Sequence, residues 1–202
     1  MGTSIHVKPR RKPRITVAEK STVHHFRQKL PTTIRGYQPI YSMFLKHAMH
    51  EGRVCGKLFE VGPLHGRFMN FLCREPCFAR NPDFSVSGIE SIKLAIDAMP
   101  EPAKSRTVHA KVESFAEQPG VKGSADFVVA RDLFSSPSVF KHTKPKIFHA
   151  ISRLVRKGGK VFLEVGEPGT LPNKKEISVE GFQVIDSISQ PALYLLVLEK
   201  VR

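Results

Sequence analysis

The chain has 202 residues, 41% of them hydrophobic and 25% charged, which suits one sizeable core and is short for two full domains. Its 32 basic against 18 acidic residues give a formal charge of +14, a field that favours polyanionic partners, RNA or DNA phosphates foremost. No window approaches the roughly 18 uninterrupted apolar residues of a membrane span, and the first residues lack an apolar signal core. No membrane contact and an intracellular, most simply cytoplasmic, location are therefore expected, with nucleus and organelle left open. The three cysteines, Cys55, Cys73 and Cys77, are an odd number and are expected as reduced thiols. Cys73-x3-Cys77 lacks the two-residue knuckle spacing, and no second pair completes four ligands, so no metal is expected.

The positive charge is concentrated at the start. Residues 1–36 hold nine Lys and Arg against Glu19 alone, a local +8. Prolines and like charges in residues 1–15 oppose helix and core, so this segment reads as a flexible basic arm. Lys8, Arg10, Arg11, Lys12 and Arg14 of the arm, with Arg27 and Lys29, are the candidate nucleic-acid contacts. Thr16-Val17-Ala18-Glu19 is a capping-box pattern and predicts a helix ending before Pro31. Domain organisation is then an arm and helix over 1–36, followed by one domain over 37–202.

A second helix is predicted from Pro39 to about His50, with Ile40, Phe44 and Leu45 on one side and Tyr37 and Tyr41 near its start. Leu58, Phe59 and Val61 form a short apolar strand that stops at Gly62; Gly66 follows four residues later, and Phe68–Leu72 opens a helix. Strand, glycine turn and helix N-terminus build an anion- or nucleotide-binding corner in open α/β sheets. Phe84–Glu90 predicts a second strand ending in an acid, followed by a helix over Ser91–Met99. Thr107–Val112 predicts a third strand and Gly123–Ala130 a fourth. A helix over 145–155 leads to Gly158-Gly159, and Lys160–Val165 predicts a fifth strand. Residues 166–178 read as a long loop, and Phe182–Ser187 and Leu193–Lys200 close the chain as paired strands. Alternation of this kind indicates an α/β, Rossmann-like three-layer sandwich: a seven-stranded, mostly parallel sheet with one antiparallel strand.

The order of these signals resembles the class I S-adenosylmethionine-dependent methyltransferases over roughly residues 37–200. Glu60-Val-Gly62-Pro63-Leu64-His65-Gly66 resembles the family's acid and three-glycine turn, with Leu64 in the middle glycine position. Glu90 falls where the family's ribose-binding acid lies. Asp126-Phe-Val-Val resembles the fourth-strand motif, and Leu154 to Leu163 resembles the turn before the fifth strand, with Lys157 in a proline's place. The resemblance implies S-adenosyl-L-methionine as cofactor, with Glu60, Gly62, Pro63 and Gly66 around its methionine part. It implies Glu90 on the ribose, Ser91 beside the adenine, Val112 and Glu113 in the adenine region, and Ala130 at the methyl-donor end.

Substrate class follows partly by exclusion. Ala130-Arg-Asp-Leu-Phe134 is not the Asp/Asn-Pro-Pro-Tyr of exocyclic-amine enzymes. No cysteine follows the fourth strand as cytosine C5 chemistry requires. The Lys-Asp-Lys-Glu pattern of ribose 2′-O enzymes has an aspartate candidate in Asp132, yet Glu164 stands where its second lysine belongs. Asp132 is retained as the candidate catalytic base, against the reading of a turn carboxylate paired with Arg131. The expectation is a methyltransferase acting on RNA or a ribonucleoprotein. The alternatives are a catalytically inactive RNA- or ribonucleoprotein-binding scaffold and a small-molecule methyltransferase. The sequence does not set oligomeric state.

Overall fold

The computed structural model describes residues 38–50, 53–74, 76–135 and 143–202. The basic arm, the helix predicted over 16–30, all seven candidate nucleic-acid contacts, Tyr37 and the boundary at 36/37 lie outside them.

Helix α1, Gln38–Ala48, is followed by a two-residue antiparallel ladder, Met49–His50 against Arg53–Val54. The central sheet then forms from β1 Gly56–Val61, β2 Phe84–Glu90, β3 Thr107–His109, β4 Ala125–Arg131, β5 Val155–Val165, β6 Phe182–Gln190 and β7 Leu193–Lys200. The spatial order is β3-β2-β1-β4-β5-β7-β6. Pairs β1–β2, β1–β4, β2–β3 and β4–β5 are parallel, whereas β7 runs antiparallel to both β5 and β6. The expected seven strands with one reversed member are all present. The order reverses at β1, so the carboxyl ends of β1, β2 and β4 form the crevice in which open α/β sheets place ligands.

Between the sheet strands run α2 Arg67–Arg74, α3 Pro76–Ala79, α4 Lys93–Asp97, α5 Val112–Phe115, α6 Lys144–Leu154 and α7 Lys174–Val179. Alternate strand residues feed two cores, as the period of two requires. One face carries Leu58, Phe127, Val129 and Phe162 and is covered by α1 and α2 through Phe44, Phe68 and Leu72. Phe44 is fully buried, with ring centroids of Phe127 and Phe162 at 5.4 and 5.5 Å. The opposite face carries Phe59, Val61, Val128 and Leu163 and is covered by α5, α6 and α7 through Phe115, Ile151 and Ile177. Three layers result.

Four local expectations are corrected. Strand β3 stops at His109, because Val112 and Phe115 are spaced to bury one face of a short helix and do so. The helix expected over Ser91–Met99 contracts to Lys93–Asp97. Strand β5 begins at Val155 rather than Lys160; residues 156–159 bulge out between the pairs Ala125↔Val155 and Phe127↔Lys160. Gly159 makes that bulge possible, since a Cβ there would sit 2.7 Å from Val155 Cγ1 and 3.0 Å from the Ala125 carbonyl oxygen. Finally, the loop expected over 166–178 contains α7, started by a capping box in which Asn173 accepts from the Lys175 and Glu176 N–H groups and Glu176 accepts from that of Asn173.

Candidate functional site at the carboxyl edge of the sheet

The glycine turn is built by backbone hydrogen bonds and left-handed residues. The Gly62 N–H donates to the Ile89 carbonyl at 2.9 Å, so the turn is tied to β2 from its first residue. Gly62, Leu64 and Gly66 have φ of +68°, +46° and +60°. A side chain is strained at every one of them. At Gly66 space forbids it as well: a Cβ would lie 2.5 Å from that of Ala103. Buried Asn70 reinforces this packing, donating to the Pro100 carbonyl at 3.4 Å and accepting from the Ala103 N–H at 3.1 Å. Pro63 is buried and abuts Gly88, where a Cβ would meet the proline Cγ at 3.1 Å.

Leu64 keeps the glycine-like backbone and directs its side chain onto Ile92 and Ala95, at the start of α4. Its N–H donates to Glu90 Oε2 at 3.1 Å, and the Ile92 N–H donates to Glu90 Oε1 at 2.8 Å. Glu90 is 2% exposed, and that burial raises its pKa, opposed by the N–H donors. Ser91, the next residue, is exposed, and its carbonyl lies 3.1 Å from His109 Nε2 at the end of β3.

Glu60 is also 2% exposed. Burial pushes its pKa up from 4.5 to about 7, against the lowering effects of Arg131 and a hydrogen bond from the Met69 backbone; Glu164 and Glu90 add repulsion. Its Oε2 is buried without a hydrogen-bond partner among the described residues. A second such atom is Oε2 of Glu164, whose pKa burial also raises. Glu164 pairs in register with Arg131, and Arg131 Nε and Nη2 lie 3.1 and 2.9 Å from its Oε1. Two buried carboxylates, each with an oxygen short of a donor among the described residues, make this edge receptive to an ammonium or N–H group.

The turn after β4 completes the edge. Ala130 is fully buried, Asp132 has φ +51°, and its N–H donates to the Glu164 carbonyl at 2.7 Å. Leu133 points back toward the glycine turn, 3.2 Å from where a Gly62 Cβ would be. Phe134 is buried.

Glu60, Gly62, Pro63, Gly66, Glu90, Ser91 and Ala130 thus converge on the carboxyl ends of β1, β2 and β4. Val112 and Glu113 behave differently. Val112 is buried in the core, and Glu113 lines a cleft against Pro145 and Lys146 of α6. His109 occupies the β3 end in their stead. Arg131, which the alternative reading of Asp132 gave as its partner, pairs with Glu164. The signal was the placement of both residues at the ends of neighbouring strands, which register alone could expose. Among the described residues no group of three His, Cys, Asp or Glu side chains is placed to hold a metal.

No protein-family model matches the chain, and no curated protein matches by sequence. Solved structures do match. The N-methyltransferase NodS of Bradyrhizobium japonicum WM9, in complex with S-adenosylhomocysteine, superposes with a TM-score of 0.64 at 12% identity over 92% of this chain and 99% of that one. The 1,6-didemethyltoxoflavin-N1-methyltransferase of Burkholderia thailandensis, with bound 1,6-didemethyltoxoflavin and S-adenosylhomocysteine, gives 0.61 at 14% identity, covering 96% and 94%. The CurJ carbon methyltransferase gives 0.59 at 13% identity over 81% of this chain, which spans only 52% of that protein. The fold is that of the class I S-adenosylmethionine-dependent methyltransferases.

Proposed function

We propose that the protein is an S-adenosylmethionine-dependent methyltransferase. The observation that carries this reading is the junction of the Gly62–Gly66 turn with Glu90 at the carboxyl ends of adjacent β1 and β2, with the unpartnered Oε2 of buried Glu60 beneath it. The residues fit the cofactor: Glu60 would take its ammonium, the Gly62–Gly66 turn would hold its methionine part, and Glu90 would take the ribose hydroxyls. Bound there, the cofactor supplies an electrophilic methyl group on sulfur. The protein's own contribution is alignment and exclusion of water, with Ala130 to Asp132 bordering the reacting end. Asp132 is the candidate to take a proton from the acceptor.

For the acceptor, the +14 charge favours RNA or a ribonucleoprotein. A small-molecule acceptor is the second reading, favoured by the bound 1,6-didemethyltoxoflavin of the N1-methyltransferase that shares the fold. An inactive scaffold is the third. It is favoured by Leu64, whose N–H, with that of Ile92, already occupies the Glu90 carboxylate. Calorimetric titration of S-adenosylhomocysteine into the wild type and Glu90→Ala is the test. Binding lost in the variant supports the cofactor site; no binding to the wild type leaves only the scaffold. Transfer of labelled methyl groups into total RNA or into a metabolite extract then separates the two acceptor classes.

A further inference from the structure

At the opposite, amino-terminal edge of the sheet, a cleft of about 440 Å³ collects more positive than negative side chains. Three chain segments bring cations to it: Lys122 from the turn before β4, Arg153 from α6, and Lys200 and Arg202 at and just beyond the end of β7. One carboxylate side chain, Glu180, lines the same cleft, and it is engaged from α6. Ser152 Oγ donates to Glu180 Oε2 at 2.6 Å, and His149 Nδ1 lies 3.0 Å from both carboxylate oxygens.

Two of the cations are partly engaged. Arg153 pairs its terminal nitrogens with Glu117, Nη1 at 2.5 Å and Nη2 at 2.8 Å, while its buried Nε–H has no hydrogen-bond partner among the described residues. Lys200 donates to the Glu180 backbone carbonyl, not to a carboxylate, and its ammonium sits 4.6 Å from the centre of the Phe182 ring. Partial withdrawal from water lowers its pKa. A partly desolvated ammonium beside the exposed cations Lys122 and Arg202 is stabilised by an anion that accepts from several directions. Phosphate does this, with its tetrahedral array of oxygens. The volume falls within the ordinary range of about 300–1,000 Å³ for ligand sites, enough for a phosphate with the sugar it esterifies.

We propose that this cleft binds the phosphate group of a nucleotide or of a polynucleotide backbone. It lies across the sheet from the glycine turn and is independent of the methyltransferase reading. Docking here anchors a phosphate chain on the protein body and does not depend on the basic arm.

The test uses the full chain, with AMP and inorganic phosphate followed by ³¹P NMR and a fluorescent 12-nucleotide oligouridylate followed by anisotropy. Lys122→Glu and Arg202→Glu replace exposed side chains and are each expected to weaken binding at least fivefold. Arg106→Glu, the same charge change before β3, is expected to shift it less than twofold. Losses for AMP as well as oligouridylate identify the free nucleotide as a ligand; losses for oligouridylate alone identify the phosphodiester backbone. Equal losses in Arg106→Glu, no loss in either cleft variant, or no binding of any probe to the wild type overturns the proposal. Thermal melts confirm folding. Calorimetry with S-adenosylhomocysteine on the same variants is expected to be unchanged, and its failure in the wild type sinks the cofactor site without touching the cleft.

Discussion

Arg131 and Glu164 meet at the carboxyl ends of β4 and β5, the guanidinium Nη2 2.9 Å from Glu164 Oε1, with the side chains 19% and 6% exposed. Arg131 is the cation that lowers the pKa of both Glu164 and Glu60. Removing it strands two buried carboxylates, so Arg131→Met is expected to cost about 3–5 kcal/mol in urea unfolding at neutral pH. Arg131→Met/Glu164→Leu, which removes the pair together, is expected to recover most of that loss. A single-variant cost below about 1 kcal/mol would show a well-solvated pair instead.

Glu60 makes stability depend on pH in a direction fixed by its shift. Its folded pKa, about 7, lies above the ordinary 4.5. Below 4.5 both states hold the proton and burial of the carboxyl carries no ionisation cost. As pH rises from 4.5 to 7 the unfolded chain ionises first, and stability falls by about 3 kcal/mol in total from this group. Glu60→Gln is expected to remove that slope, so that chemical denaturation of the variant changes less between these two pH values than that of the wild type. An identical slope in both proteins would place the ionisation elsewhere.

The same carboxyl links cofactor binding to proton release. A ligand ammonium against Glu60 Oε2 favours the ionised form, so binding below about pH 7 expels a proton into the buffer. Titrations of S-adenosylhomocysteine at pH 6 in buffers of different ionisation enthalpy are expected to show release of a substantial fraction of one proton, absent in Glu60→Gln. Buffer-independent heats would remove Glu60 from the ammonium site.

The sheet was legible because its signals are local. Leu58 to Val61, Phe84 to Glu90 and Leu193 to Lys200 are runs rich in apolar residues and bounded by glycine, charge or a turn; the last two match the strands found, and the first is extended by two residues at its start. The Gly62 corner and Glu90 were legible through spacing and through the family resemblance. What stayed hidden depends on pairing across the sheet. Thr107 to Val112 alternates polar and apolar residues and reads as one strand, and only burial of Val112 and Phe115 beneath the sheet turns its end into a helix. The Arg131–Glu164 pair needs the β4–β5 register, which the bulge at 156–159 sets. Asn173 and Glu176 have capping-box spacing, but the glycines and prolines before them give the segment the signature of a loop.

Asp186 ties α1 to the far edge of the sheet. It accepts from Lys46 Nζ at 2.6 Å and faces His47 Nε2 at 2.7 Å, and these partners hold its pKa down at about 2 from the ordinary 3.8. A depressed folded pKa contributes stability above 3.8 that is lost as pH falls toward 2. Asp186→Asn is expected to lessen acid sensitivity in that window and to speed amide exchange in residues 38–48 at neutral pH. Unchanged exchange there would mean that Phe44 and its ring contacts hold α1 alone.

Leu64 decides how the site opens. At φ +46° a leucine costs about 1–2 kcal/mol of backbone strain, offset in part by its half-buried contact with Ile92 and Ala95. Leu64→Gly relieves the strain, gives up the contact, and adds unfolded-state entropy of about 1 kcal/mol. These effects nearly cancel, so stability is expected to change by less than about 1 kcal/mol. The contrast is Gly66→Ala, where the methyl meets that of Ala103 at 2.5 Å with φ at +60°, and a loss of at least about 2 kcal/mol is expected. With side-chain bulk removed from the turn that meets Glu90, Leu64→Gly is expected to bind S-adenosylhomocysteine at least tenfold more tightly by calorimetry. Equal affinity in the variant and the wild type would mean that the leucine lies clear of the bound ribose, and that the turn accepts the cofactor as it stands.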